Sequence, residues 1–157
     1  MPALGIEELS ALFRDSVSLV SKMGMIVEAV GDGSVRLRLP YRDDFVRPGG
    51  TVNGPTMFAL SDVALFGAVL SLIGPVEMVV TTSMTINFLR RPAPVAVTAE
   101  ARVLKLGKRL AYGEVLLWSE GDPEPVAHVT GTYSIPPHGP VAVTPPHYLP
   151  EAAEEGV

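Results

Sequence analysis

The chain has 157 residues, of which 47% are apolar and only 6% aromatic, and its net charge is −5 at pH 7. This length suits one domain with a sizeable core, and the acidic balance argues against a nucleic-acid partner, because binding phosphates normally needs a basic face. The absence of Cys excludes thiol nucleophiles, thiolate metal sites and disulfides, and the three scattered His residues argue against a metal site.

The first part of the chain predicts a helix followed by a hairpin. Apolar residues recur at helical spacing over residues 6–22, and Gly24 ends this amphipathic helix. Residues 25–30 and Ser34–Leu39 read as strands on either side of the turn 31–33, and residues 40–53 read as a loop. The acidic start of the chain lacks the basic and then apolar pattern of a signal peptide, so we expect a cytoplasmic protein.

A long apolar segment follows, in which residues 56–75 read TMFALSDVALFGAVLSLIGP and Asp62 is the only charge. Pro55 suits the first residue of a helix, and Gly74 with Pro75 ends it. The segment is long enough to cross a bilayer, but Asp62 and Gly67 interrupt it and no aromatic or basic belt flanks it. We therefore expect no membrane contact and a central helix wrapped by other structure. A carboxylate in such a helix is costly unless it is paired or used chemically.

Beyond this helix the apolar pattern changes to a period of two, which indicates strands. Residues 84–88, 95–103, 110–119 and 125–135 predict four long strands, with turns at 107–108 and 121–123. Antiparallel strands that follow one another by short turns form one curved sheet, which can wrap the apolar helix. The predicted fold class is α+β, in one domain over residues 1–137. Residues 138–157 are Pro-rich and acidic, and we expect a poorly ordered tail there.

Four segments give the chain a resemblance to a known family. They read PGGTVNGP at 48–55, TINFLRRPA at 85–93, LKLGKR at 104–109 and AHVTGTY at 127–133. Their order over residues 8–136 resembles the hotdog-fold acyl-CoA thioesterases, specifically the group related to the phenylacetate-pathway thioesterase. That family usually has His-Gly-Gly where this chain has Asn53-Gly54-Pro55, and often an Asn or Gln where this chain has Arg47.

The resemblance implies a role for several residues around the start of the apolar helix. The N–H of Gly54 is expected to polarise the thioester carbonyl, and the side-chain amide of Asn53 to compensate for Pro55, which has no N–H. Asp62 is expected to be either the base that activates water or the nucleophile that forms a mixed anhydride. Thr81, or its neighbour Thr82, stands where the family often has a hydroxyl that holds the attacking water.

The spacing of Gly54 and Asp62 bears on assembly. Eight residues of helix rise about 12 Å, which is too far for both groups of one chain to act on the same carbonyl. The resemblance implies a homodimer in which antiparallel central helices bring Gly54 of one subunit beside Asp62 of the other. It also implies pairing of such dimers into a homotetramer.

The substrate expected from the resemblance is an acyl-CoA, with coenzyme A as part of the substrate and no separate cofactor or metal. Basic residues at strand ends are expected to bind its phosphates, although they could instead form a solvated rim; these are Arg90, Arg91, Lys105, Lys108 and Arg109. The acyl pocket is expected to be lined by Met57, Phe58 and Phe66, together with side chains of the partner.

The expected function is hydrolysis of an acyl-CoA to a carboxylic acid and coenzyme A. The alternatives are a hotdog module that binds acyl-CoA or a related ligand without turnover, and a scaffold that serves only oligomerisation. Asp62 could also be a purely structural carboxylate, and Gly54 an ordinary helix start. The absence of a G-x-S-x-G elbow, and of a His placed to serve Ser61 or Ser83, argues against a serine hydrolase. The sequence also has no Walker loop and no dinucleotide-binding fingerprint.

Overall fold

The structure is a computed structural model that describes residues 1–76 and 78–137. Its helices are α1 (Ile6–Ser16), α2 (Ser18–Met23) and α3 (Gly54–Ile73). The strands are β1 (Ile26–Gly31), β2 (Ser34–Leu39), β3 (Val46–Arg47), β4 (Thr51–Val52), β5 (Val80–Phe88), β6 (Val97–Leu106), β7 (Leu110–Ser119) and β8 (Ala127–Ser134). The tail predicted over 138–157 lies outside the described residues.

One antiparallel sheet carries the fold, with six strands in the order β1-β2-β6-β7-β8-β5. Together with α3 packed on its inner face, it confirms the predicted α+β hotdog architecture. The expectation that all four later strands follow one another in space was wrong for β5, which pairs with β8 at the sheet edge. The segment from β5 to β6 contains Pro92 and Pro94, which do not suit a tight hairpin between two paired strands. Strand β6 pairs instead with β2.

The central helix α3 is buried on most of its surface, as its predominantly apolar sequence predicts. It begins at Gly54, one residue before the predicted start, because Asn53 acts as its N-cap: the Asn53 Oδ1 accepts the Thr56 N–H at 2.8 Å. Gly74, at φ 86°, ends it. Among the described residues α3 is the one helix long and apolar enough to cross a bilayer, and 67% of its most apolar stretch is buried inside the protein.

A pair of glycines sets how closely α3 approaches the sheet. Gly113 on β7 and Gly131 on β8 lie directly opposite each other. A Cβ at Gly113 would stand 2.5 Å from the Leu65 Cδ1 and 2.6 Å from the Arg102 carbonyl oxygen, and one at Gly131 would stand 3.0 Å from the Leu65 Cδ2. Side chains at these two positions would therefore push the helix away from the strands.

Two predictions for the first third of the chain need correction. The single helix over 6–22 is broken at Val17, whose φ of −119° and ψ of 86° are not helical, so that α1 and α2 meet at an angle. The β-branched Val17 loses little by leaving a helix. The expected loop 40–53 contains a 3₁₀ turn at Asp43–Phe45 and the small hairpin β3–β4. Gly49 and Gly50, at φ 102° and 79°, form the turn of that hairpin.

Candidate active site

Two hydroxyl groups hold the carboxylate of Asp62 through one of its oxygens. The Thr81 Oγ1 donates to the Asp62 Oδ1 at 2.7 Å. The Tyr133 hydroxyl lies 2.5 Å from the same Oδ1 and 2.8 Å from the Asp62 main-chain carbonyl oxygen, and its single proton serves one of them at a time. Thr81 and Tyr133 are paired across β5 and β8, so the sheet itself sets the spacing of the two donors.

A bulge in β5 decides which threonine reaches Asp62. The pairing of β5 with β8 shifts by one residue between Thr81 and Ser83, which leaves Thr82 without a partner in the ladder. The Thr82 Oγ1 donates to the Thr132 carbonyl oxygen at 3.0 Å, away from the helix. Of the two hydroxyls that the sequence left open, the structure places that of Thr81 on the carboxylate.

The second oxygen of the Asp62 side chain is uncommitted. Within residues 1–76 and 78–137, every hydrogen bond to this side chain goes to Oδ1, and no basic group forms an ion pair with it. The residue is half-buried on α3. Such an arrangement leaves Oδ2 free to accept a proton from a water molecule or to attack an electrophile.

Tyr133 is the site residue that sequence reasoning missed. Burial, then the negative charge of Asp62 and the hydrogen bond to it, raise the pKa of the phenol well above its ordinary value of 10.0. The group therefore stays a protonated donor. The sequence did contain a sign that Tyr133 is buried, because alternation along β8 puts it on the same face as Val129 and Gly131. A buried phenol needs a hydrogen-bond partner, and Asp62 is the only charge on the facing helix.

The N-terminus of α3 lies beside a cavity of about 410 Å³. Its lining includes Gly54, Met57 and Phe88 and three arginines, Arg47, Arg90 and Arg91. A Cβ on Gly54 would stand 3.0 Å from the Phe88 Cζ, so the ring closes over the glycine and any larger residue would displace it. Because the Asn53 Oδ1 caps the helix, the NH₂ of that amide is the part of the side chain left to meet a ligand.

The predicted phosphate-binding residues divide between two ends of the protomer. Arg90 and Arg91 follow β5 and line the cavity beside Gly54, and Arg90 also lies 3.6 Å from Asp122. The other three, Lys105, Lys108 and Arg109, belong to the β6–β7 hairpin. That hairpin meets β8 at Ser134, which pairs with the opposite end of β5 at Val80. One protomer therefore does not bring all five basic residues together.

The three residues predicted to line an acyl pocket also lie in different places. Met57 is buried and lines the cavity next to Gly54. Phe58, one residue further along the helix, is 38% exposed on the surface of the protomer. Phe66 stacks on the buried Phe13 with 6.1 Å between ring centroids. Only Met57 faces the same cavity as the helix start within the described protomer.

Gly54 and Asp62 contact opposite ends of β5. Gly54 lies against Phe88, where the strand ends, while Asp62 is bonded to Thr81, near where it begins. The helix places the two about 12 Å apart along its axis. Gly54 and Asp62, which the sequence analysis expects to polarise the carbonyl and to supply the reacting carboxylate, thus lie at separate positions of one protomer. Within the part of the chain that the structure describes, no group of three or more His, Asp or Glu is arranged to hold a metal ion.

A second carboxylate with well-defined partners lies on the outer face of the sheet. The Arg102 Nε donates to the Glu114 Oε1 at 2.6 Å, and the His128 Nε2 lies 2.9 Å from the Glu114 Oε2. The hydrogen bonds from His128 and then Arg102 lower the pKa of Glu114 below its ordinary value of 4.5. Both oxygens of this carboxylate are therefore engaged.

Comparison with known proteins gives consistent matches. The family described as the thioesterase superfamily matches residues 49–126. A candidate esterase of Halobacterium salinarum is 31% identical over 130 residues, which cover 78% of this chain and 85% of that protein.

Solved structures also match this chain. The crystal structure of a candidate thioesterase from a Silicibacter species is 40% identical, with a TM-score of 0.80, and the match covers 87% of this chain and 95% of that one. A variant of the phenylacetic acid degradation protein PaaI of Thermus thermophilus is 28% identical, with a TM-score of 0.67, over 74% of this chain and 97% of that one.

Proposed function

The chain belongs to the thioesterase superfamily, and from this premise we propose that it hydrolyses the thioester of an acyl-coenzyme A to a carboxylic acid and coenzyme A. The observation that carries the proposal is the geometry of Asp62. Its Oδ1 is held by Thr81 and Tyr133, while its Oδ2 accepts no hydrogen bond from the described residues. A carboxylate that serves as base or nucleophile must be oriented and yet still have an oxygen to react with.

Two routes follow from that free oxygen. In the first, the Asp62 Oδ2 takes a proton from a water molecule as the water oxygen attacks the carbonyl carbon. The C–S bond then breaks, and the thiolate of coenzyme A leaves and is protonated. In the second, the Asp62 Oδ2 itself attacks, coenzyme A leaves, and water hydrolyses the mixed anhydride. Thr81 and Tyr133 remain donors to Oδ1 in both routes and keep the carboxylate in one orientation.

The start of α3 supplies the electrophilic half of the proposed site. We propose that the Gly54 N–H, at the positive end of the helix dipole, stabilises the oxygen that gains charge during attack. Asn53 caps the helix through Oδ1 and offers its NH₂ to the same oxygen. Replacing Asn53 with Ser keeps a capping oxygen but removes the amide, whereas Asn53→Ala removes both. If the amide acts in catalysis, both variants lose activity. If Asn53 only caps the helix, the Asn53→Ser variant keeps its activity.

We further propose that the active form is a homodimer with antiparallel central helices, and that such dimers pair into a tetramer. Strand β5 lies at a sheet edge and carries the exposed apolar residues Val80 and Phe88, with Leu89 just beyond it. A long apolar edge is unfavourable in water unless another chain pairs with it. Antiparallel pairing of two β5 strands would bring Gly54 of one subunit towards Asp62 of the other. Light scattering that finds a monomer would contradict this assembly.

The dimer also bears on how coenzyme A would bind. We propose that Arg90 and Arg91, next to the helix start, contact its phosphates. An antiparallel partner would bring its own Lys105, Lys108 and Arg109 to that end of the site, so that both predicted groups could contribute.

The cytoplasmic location expected from the sequence stays a prediction.

An assay of thiol release tests the function as a whole. Short, medium, long and aryl acyl-CoAs are offered to the wild-type protein, and release of coenzyme A from at least one of them supports hydrolysis. The second candidate, a module that binds without turnover, is favoured by Asn53 and Arg47 standing where the family has other residues. Coenzyme A binding with no release from any substrate would support that module and contradict hydrolysis.

A further inference from the structure

Arg47 is a cationic residue beside the helix start that the expected chemistry leaves without a role. It belongs to the hairpin β3–β4, where it pairs with Thr51, and its carbonyl oxygen accepts the Gly50 N–H at 3.1 Å. The hairpin turn is formed by Gly49 and Gly50 in left-handed conformations. The backbone that presents this guanidinium is therefore fixed, seven residues before Gly54.

Arg47 and Arg91 line the same two cavities. The first is the cavity of about 410 Å³ that Gly54 and Met57 also line. The second, of about 210 Å³, adjoins the hairpin turn at Pro48. Two guanidinium groups that share two concave spaces create a positive potential there, because low-dielectric walls focus their field.

Neither guanidinium has an acidic partner within residues 1–76 and 78–137. Several other arginines of the described chain do: Arg36 pairs with Glu100, Arg102 with Glu114, and Arg90 approaches Asp122. Arg47 and Arg91 thus differ from those arginines because they line a cavity without an acidic partner of their own in the described chain. An arrangement of this kind favours an anion supplied from outside the chain.

We propose that Arg47 and Arg91 together bind an anionic oxygen group of the ligand, a carboxylate or a phosphate, beside the start of α3. The proposal rests on the proposed function for the identity of the rest of the ligand. The 410 Å³ cavity also has an apolar wall that includes Val52, Phe88 and Leu89, so it suits a ligand with an apolar part and an anionic part. The anion has two possible sources, a phosphate of the coenzyme or a carboxylate on the acyl chain.

Binding of unreactive thioethers tests this subsite without any need for turnover. The four probes are S-hexyl and S-(5-carboxypentyl) thioethers of coenzyme A and of pantetheine. The coenzyme A probes carry the phosphates, the carboxypentyl probes carry a carboxylate on the acyl side, and S-hexyl pantetheine carries neither. Isothermal titration calorimetry compares wild type with Arg47→Gln and Arg91→Gln. The matched control is Arg14→Gln, which removes the same charge from α1 at a residue that lines neither cavity.

We expect each cavity variant to lose about tenfold in affinity for the probes that carry the recognised anion, because a charge-assisted contact is removed. Loss on both coenzyme A probes, with the pantetheine probes unchanged, assigns the anion to the coenzyme. Loss on both carboxypentyl probes, with both S-hexyl probes unchanged, assigns it to the acyl chain.

Three results would overturn the subsite. Affinities of the cavity variants could match those of Arg14→Gln on all four probes. All four, including the uncharged S-hexyl pantetheine, could weaken equally, which would indicate a structural role. Wild type could also bind no anionic probe more tightly than S-hexyl pantetheine. Since thioethers cannot be hydrolysed, a protein that fails the thiol-release assay can still pass or fail this test.

Discussion

Asp62 and Glu114 are two carboxylates on opposite faces of the same sheet, and their partners differ in charge. Asp62 lies between the sheet and α3 and receives bonds from two neutral hydroxyls, both on Oδ1. Glu114 lies on the outer face, where Arg102 binds one oxygen and His128 the other. The outer carboxylate has its charge balanced and both oxygens occupied, whereas the inner one is oriented without being neutralised by any described cation.

The difference separates a structural carboxylate from one available for chemistry. A carboxylate in an apolar setting costs free energy unless its partners offset the loss of hydration. At Glu114 the hydrogen bonds from His128 and then Arg102 outweigh the cost of burial, and the pKa is lowered. At Asp62 the hydroxyls of Thr81 and Tyr133 fix the group but leave Oδ2 open, an arrangement that stability alone does not favour.

The largest effect should come from removing the charge at the inner carboxylate. Asp62→Asn keeps the size of the side chain but removes the base or nucleophile, so we expect kcat to fall about 10³-fold, roughly 4 kcal/mol. Thermal unfolding should show that the variant is at least as stable as wild type. Glu114→Gln, the matched control, should change kcat by no more than about twofold. A loss below about tenfold in Asp62→Asn would remove Asp62 from the mechanism.

A smaller effect should come from loosening the inner carboxylate. Tyr133→Phe keeps the buried ring and removes one donor to Oδ1, so we expect kcat to fall about 10- to 100-fold with little change in KM. The control is Tyr112→Phe on β7, whose side chain is 43% exposed. Because the pKa of Tyr133 is raised above 10.0, the wild-type pH–rate profile should show no limb from this phenol below pH 10. Equal kcat in the two variants would deny Tyr133 a positioning role.

The smallest effect should come from the outer carboxylate, on stability. Because the pKa of Glu114 is lower in the folded chain than its ordinary 4.5, its contribution is present above about pH 4.5 and is lost as the pH falls through the folded value. Glu114→Gln should therefore reduce stability by about 1 kcal/mol at neutral pH, since its Arg102 partner is largely exposed. Urea unfolding should show that this difference shrinks in acid. A stability difference between Glu114→Gln and wild type that stays constant with pH would contradict this contribution of Glu114.

The sequence predicts the parts of both regions that local patterns determine. The long run of mainly apolar residues predicted α3 and singled out Asp62 as its one charge, and the period of two predicted the strands that follow it. Thr81 could not be distinguished from Thr82, because a bulge depends on pairing with a strand fifty residues away. The position of β5 at the sheet edge could not be predicted for the same reason, because strand order is set by long-range contacts that no local pattern encodes.

Side-chain environments were harder to predict than elements. Tyr133 was missed although alternation along β8 places it on the buried face, because a role for it requires knowing which part of α3 lies above that strand. Arg47 was noted only as a departure from a family pattern. Its position beside Gly54 follows from the β3–β4 hairpin, which lies in a segment expected to be a loop.

Mixed dimers provide the most direct test of the central claim, that Asp62 of one subunit acts with Gly54 of its partner. Two variants are used, Asp62→Asn and Gly54→Val, and each is first confirmed to be an inactive but folded dimer. The two are then unfolded together and refolded. Half of the resulting dimers are mixed, and each mixed dimer has one intact site if the two residues come from different subunits. Refolded mixtures should therefore recover about a quarter of wild-type thiol release. No activity beyond that of the separate variants would contradict it.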